Sequence, residues 1–228
     1  QLATAYDNSG DPEKAIEIYT KALEKYPFDY LLYYNLGVTY SNQNEFEKSV
    51  ECFQNAIINN PFHSTSHLSL GKLMARQGLL TKAIISLEIF LELEPESERS
   101  NIVLVYLNEL ADNHIDTAWG EPIVPFTDNE IFSEVDHFIK SGIALKDNFK
   151  TGIKFKASIV NQTVLLFRSL PFDTKSEDFW VKMYFPFLKA VKEGDFIKPY
   201  IFTLLSSSGH ETVVKYNKRK KKDLAKFY

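Results

Sequence analysis

Small, aromatic and aliphatic side chains recur at helical spacing through the first 95 residues, and the whole pattern then repeats. Ala15, Tyr19 and Ala22 stand at i, i+4 and i+7, one face of a helix. The same face returns 34 residues later as Ser49, Phe53 and Ala56, and again as Ala83, Leu87 and Phe90. Four further columns keep that interval: Ala3, Gly37 and Gly71; Tyr6, Tyr40 and Met74; Gly10, Asn44 and Gly78; Pro27, Pro61 and Pro95. A fixed period of this length marks a supersecondary unit that buries its apolar face against the next copy.

Each column has a physical reading. The small residues let two helices of a hairpin approach closely, and Tyr6, Tyr40 and Met74 fill the space beside them. Gly10, Asn44 and Gly78 fall where the first helix must stop, since glycine and asparagine tolerate the left-handed turn conformation. Asp11-Pro12-Glu13 restarts the chain with an N-cap acid and a proline in the first helical position. Pro27 ends the second helix, because proline cannot continue the hydrogen-bond ladder.

This order of small, large, glycine, alanine, aromatic, alanine and proline resembles the tetratricopeptide repeat family over residues 1–95, three hairpins in a row. The resemblance implies an all-α fold, a right-handed superhelical array of helix-turn-helix hairpins. The first repeat lacks its opening positions, so the native protein is expected to extend upstream of Gln1. Ser97 caps a further helix to about residue 112, with Val105 and Asn108 where small and aromatic residues belong; it is expected to be a capping helix. The expected organisation is an array over 1–112, a linker over 113–126 and additional helices over 127–228.

In this family the first helix of each hairpin lines a concave groove. The resemblance therefore places Leu31, Tyr34, Val38, Leu68 and Lys72 there, with Thr4, Asp7, Ser41, Thr65 and Ala75. Asn35 occupies a position where the family often bonds a peptide backbone, and its amide offers both a donor and an acceptor; the alternative is that it only ties neighbouring helices. Some members clamp a C-terminal carboxylate with two asparagines and three basic residues. Asn35 and Lys72 match that clamp, but Thr4 and Leu68 replace an asparagine and a lysine. The expected ligand is thus an extended, partly apolar segment.

The second half is less regular. Trp119, Gly120, Pro122 and Pro125 oppose helix, while Trp119, Ile123, Val124 and Phe126 predict that the linker is buried. Thr127-Asp128-Asn129-Glu130 reads as a capping box before a helix with Ile131, Phe132, Val135, Phe138 and Ile139 on one face, ended near Gly142. Residues 146–156 are ambiguous, since alternation at 153–156 also suits a strand. A helix is expected over 157–170, bounded by Pro171; another over 177–192, capped by Ser176 and bent at Pro186; another over 196–208, capped by Asp195; and a last basic one over 211–228 after Gly209.

Charge sharpens the division. Residues 1–113 hold 8 Lys/Arg against 16 Asp/Glu, and residues 114–228 hold 18 against 14. An acidic and a basic half favour docking on each other, within the reach that screening allows. No apolar run is long enough to span a bilayer and no signal peptide is visible, and a lone cysteine suits a reducing compartment. Cytoplasmic placement is expected, or periplasmic if a leader is missing.

Local chemistry does not point to an enzyme. Glu134 and His137 have half-site spacing for a metal but lack a second copy; His63 and His67 lack a third ligand. Ser206-Ser207-Ser208-Gly209-His210 lacks the strand-turn-helix setting of a nucleophile, and Cys52 has no adjacent base. The run Lys218-Arg219-Lys220-Lys221-Lys222 could meet phosphates or an anionic membrane, yet aromatic interleaving is thin and a solvated helix face is the simpler account. The sequence therefore predicts a non-enzymatic scaffold without metal or cofactor, gripping a protein or peptide through Leu31, Tyr34, Asn35, Val38, Leu68 and Lys72. Its C-terminal region is a candidate to occlude that groove. The alternative is a nucleic-acid- or anionic-surface-associated protein using the basic C-terminal helix.

Overall fold

The computed structural model describes residues 2–112, 120–123 and 130–224. Trp119, Val124, Phe126 and the capping-box residues Thr127, Asp128 and Asn129 lie outside them, as do Phe227 and Tyr228 and the side chains of Lys220, Lys221 and Lys222. The described residues contain twelve α-helices and two short 3₁₀ turns, with no strand among them. The fold is all-α, as the pattern predicts. The chain divides into two compact units, Gln1–Leu73 and Met74–Tyr228.

The first unit holds α1 (Leu2–Asn8), α2 (Pro12–Lys25), α3 (Tyr30–Asn42) and α4 (Phe46–Asn59). α5 (Ser64–Arg76) begins in this unit and ends in the second. α1 pairs with α2 and α3 with α4, and α2 packs on α3. The turns follow the repeat columns closely. Gly10, Asn44 and Gly78 have φ of +84°, +61° and +69°. The amide after each, at Asp11, Glu45 and Leu79, donates to the carbonyl of Tyr6, Tyr40 and Met74 at 2.9, 2.9 and 3.1 Å. That is one C-cap hydrogen bond made three times in the same register. Asp11 accepts from the Lys14 amide, and Asp29 from Leu31 and Leu32, so side chains cap both α2 and α3.

Gly37 shows why its column must be small. A Cβ there would stand 2.8 and 2.9 Å from two Phe53 ring carbons and 3.1 Å from Cys52 Cβ. The backbones of α3 and α4 approach so closely that the Ser49 hydroxyl donates to the Gly37 carbonyl at 2.7 Å.

The second unit is organised around α6 (Leu80–Leu93), in which every residue from Leu80 to Glu92 is buried. A helix covered all round is an axis for its neighbours and not the edge of an array. α7 (Glu98–Ala111), α8 (Glu130–Lys140) and α11 (Ile197–Leu204) all pack on it. The compact units part at 73 and 74, with α6 and the later helices that share its surface in the second. α7 touches α6 and also α9 (Ser158–Ser169) through one face, while Ile102 and Val105 on the other are exposed. Asn108 on α7 accepts from the Ile159 amide at 3.3 Å, covering an N-terminal amide of α9.

Several local expectations are corrected here. Of the linker's four apolar residues only Ile123 lies among the described residues; it is half-buried and its amide donates to the Arg76 carbonyl at 2.8 Å, while Gly120, Glu121 and Pro122 are exposed. Residues 146–157 form no strand but a turn and loop, held by Arg168 donating to the Lys150 carbonyl at 2.8 Å. α10 (Phe179–Glu193) is capped by Asp178, whose carboxylate accepts from Trp180 and Val181; Ser176 instead accepts from the Asp178 amide. Asp195, at φ +58°, lies in the turn after α10, and α11 starts beyond Phe196 without a side-chain cap. Gly142 and Gly209, at φ +64° and +65°, end their elements as expected, and α12 (Glu211–Leu224) follows.

Candidate protein-binding surface

On α3, Leu31, Tyr34, Asn35 and Val38 stand at i, i+3, i+4 and i+7, so they share one face. Leu31 is 45% exposed, and the other three are half-buried. The Tyr34 ring is braced: its centroid lies 5.7 Å from that of Phe53 and 5.1 Å, edge-on, from that of His63. Tyr30 packs on the same His63 ring at 5.0 Å. An aromatic anchor held this way presents area at small entropic cost. The Asn35 carbonyl accepts from Thr39 Oγ1 at 3.2 Å, the helix's own spacing, while its side-chain amide makes no hydrogen bond among the described residues.

The remaining candidates divide. Lys72 is half-buried. Leu68 is only 7% exposed, so it is a core residue and not a wall a ligand can reach; the apolar side chain that replaces a clamp lysine is drawn into the interior. Ala75 is fully buried as well. Thr4 is exposed, and its hydroxyl bonds that of Tyr19 at 2.9 Å.

The structure adds residues that periodicity passes over. Phe28 and Phe62 are each 80% exposed and follow the repeat prolines Pro27 and Pro61, so two successive repeats present a phenylalanine at the same place. Ile58 is 52% exposed nearby in sequence. The signal was legible as a Pro-Phe pair recurring at the repeat period and replaced by Pro95-Glu96 in the third copy. Phenylalanine is among the residues enriched at protein interfaces.

Other candidate chemistry is absorbed by the fold. His67 donates through Nε2 to the Pro61 carbonyl at 2.9 Å, and burial pushes its pKa down to about 4. His63 Nδ1 bonds Ser66 Oγ at 2.8 Å, so each ring serves a turn. Glu134 and His137 are both exposed on α8. Burial pushes the Cys52 thiol up to about 12, with Glu51 adding to the shift, which makes it a poor nucleophile. Ser206 accepts from Asn217 at 2.8 Å, and His210 Nδ1 accepts from the Thr212 amide at 3.2 Å, each a local brace. No helix among the described residues is long and apolar enough to cross a membrane.

Comparison with known proteins agrees with the geometry of the first unit. Residues 1–39 and 30–63 each match a family model of the tetratricopeptide repeat. No curated protein matches the chain. Repeats of this family serve in general as scaffolds for protein–protein contact and are typically non-enzymatic. With its paired helices, repeated C-cap turns and small-residue column, the segment 1–63 consists of tetratricopeptide repeats.

Proposed function

We propose that the repeat unit holds an extended, partly apolar peptide segment of a partner protein along the α3 face formed by Leu31, Tyr34, Asn35 and Val38, with Lys72. The observation that carries this reading is the Asn35 amide, half-buried on an apolar face and unbonded among the described residues. A peptide backbone offers the donor and acceptor that such an amide matches. Tyr34, braced by Phe53 and His63, supplies a rigid anchor beside it. Leu68 supports the interior and makes no contact with the ligand in this reading.

The test starts from peptides selected by display against the full chain, followed by affinity measurement in solution. Asn35→Ala and the exposed-site change Leu31→Glu should each weaken binding about tenfold or more, equivalent to about 1.4 kcal/mol. Both leave the Tyr34 stacking untouched, and thermal unfolding checks that the repeats remain folded. Undiminished affinity of the double variant for every selected peptide would place the binding surface elsewhere.

A further inference from the structure

In the second unit, a cleft of about 520 Å³ opens between the turn at Gly152, the start of α11 and one face of α12. Its walls carry Lys154, Lys198, Lys215 and Arg219, together with Thr212 and Tyr216, and no acidic side chain among the described residues. The arrangement follows from helix geometry. Thr212, Lys215, Tyr216 and Arg219 stand at i, i+3, i+4 and i+7 on α12, so they face one way. Lys198 is the second residue of α11, and Lys154 comes from the loop before α9. Three elements far apart in sequence thus bring four cations to one concavity.

The walls are built, not incidental. Asn217 of α12 donates to the Phe202 carbonyl at 3.1 Å and to Ser206 Oγ at 2.8 Å, fastening α12 to α11. Phe202 and Tyr216 pack at 4.0 Å between centroids, and Lys198 Nζ lies 5.4 Å from the Tyr216 ring. The loop is held by the Ile153 amide donating to Thr151 Oγ1 at 3.1 Å.

Charge balance is the decisive feature. Lys215 pairs with Glu211 on its own helix at 2.5 Å. Lys154, Lys198 and Arg219 have no ion pair among the described residues. The neighbouring concavity at residues 145–158 differs, since Asp112 and Asp147 stand among its lysines. Three cations without an ion pair beside a fourth that has one leave net positive charge, and a concave setting focuses its field on any anion that enters. The volume suits a small ligand and not the length of a polymer. Arg219 supplies the planar fork that matches phosphate, the lysines add point charges and Thr212 a neutral hydroxyl.

We propose that this cleft binds a ligand with two or more clustered phosphate groups, either a small soluble polyphosphate compound or a phosphorylated lipid headgroup. The site is independent of the α3 face, so each reading stands or falls by its own experiment. Titration calorimetry of the full chain with inorganic tripolyphosphate at 150 mM salt tests the soluble source. Sedimentation with vesicles containing phosphatidylinositol bisphosphate tests the lipid source. Saturable binding in either arm is expected, weakened tenfold or more by Lys198→Glu and by Arg219→Glu. Lys218→Glu, an exposed residue of the same helix that does not line the cleft, should leave it within about twofold. Arg219→Lys should fall between, because it keeps the charge and loses the fork. Absence of binding in both arms would overturn the proposal. So would an equal loss with Lys218→Glu, or binding confined to single-stranded oligonucleotides, since both would reduce the cleft to general basic charge.

Discussion

Glu88 offers the sharpest test of how the second unit is held together. Its side chain is fully buried on α6, with one carboxyl oxygen against the Thr163 hydroxyl and the other accepting from Tyr200 at 3.0 Å. Burial raises its pKa from 4.5 to about 7, and the two hydroxyl bonds oppose that shift without cancelling it. In the unfolded chain the group loses its proton near pH 4.5, whereas the folded protein keeps it to about pH 7. Between those values the native state binds more protons, so stability falls as pH rises and levels off above the folded pKa. At about 1.4 kcal/mol per pH unit, the loss is on the order of 3 kcal/mol. Glu88→Gln, nearly isosteric and always neutral, should escape it. His67 acts in the opposite sense. Its lowered pKa contributes stability that is full above pH 6.5 and is lost as pH falls through about 4, so the wild-type profile alone mixes two terms. The difference between variant and wild type isolates Glu88. Urea unfolding followed by tryptophan fluorescence suits this purpose, since Trp180 is buried in the second unit. The stability advantage of Glu88→Gln should grow by about 3 kcal/mol from pH 4.5 to pH 8. An advantage that stays constant across that range would refute the reasoning.

Three further outcomes follow from particular contacts. Gly37→Ala should lower stability by about 1–3 kcal/mol in thermal denaturation, because its methyl would press on the Phe53 ring and Cys52. Cys52, 8% exposed and with its thiol pushed up to about 12, should resist alkylation at pH 8 in the native protein and react rapidly once denatured. Thr81→Val should cost about 1–2 kcal/mol by urea unfolding, since it removes a hydroxyl bond to buried Asp136 and leaves the Thr81 amide bond of 2.7 Å in place.

Much of the first unit was legible because its determinants are local. A left-handed residue at the hairpin turn, a small residue at a helix crossing and a proline after a helix each act within a few positions. Their recurrence at one period marked Gly10, Asn44 and Gly78 as turns and Gly37 as a close approach, and the backbone has positive φ at the first three and a tight helix crossing at the fourth. Capping was less legible. Ser176 and Asp178 are both good cap residues, and only the packing of α10 selects the aspartate. The α3 face could be located on its helix, but exposure could not be read from the pattern. Leu68 stands one repeat period after Tyr34, in the same column, and is nevertheless buried.

By itself, then, the sequence determined the helical class, the repeat period, the turns and which residues share one face of α3. The tertiary structure alone decided what depends on distant partners. α6 carries Lys82, Glu88 and Glu92, residue types that ordinarily face solvent, yet it is buried on every side. Its carboxylate at Glu88 is accommodated by Thr163 and Tyr200, 75 and 112 residues away. Asp136 reaches Thr81 across 55 residues, and the cationic cleft gathers Lys154, Lys198 and α12 in the same manner. Helix and turn preferences act over a few residues, whereas burying a charge or gathering cations depends on which surfaces meet after the chain has folded.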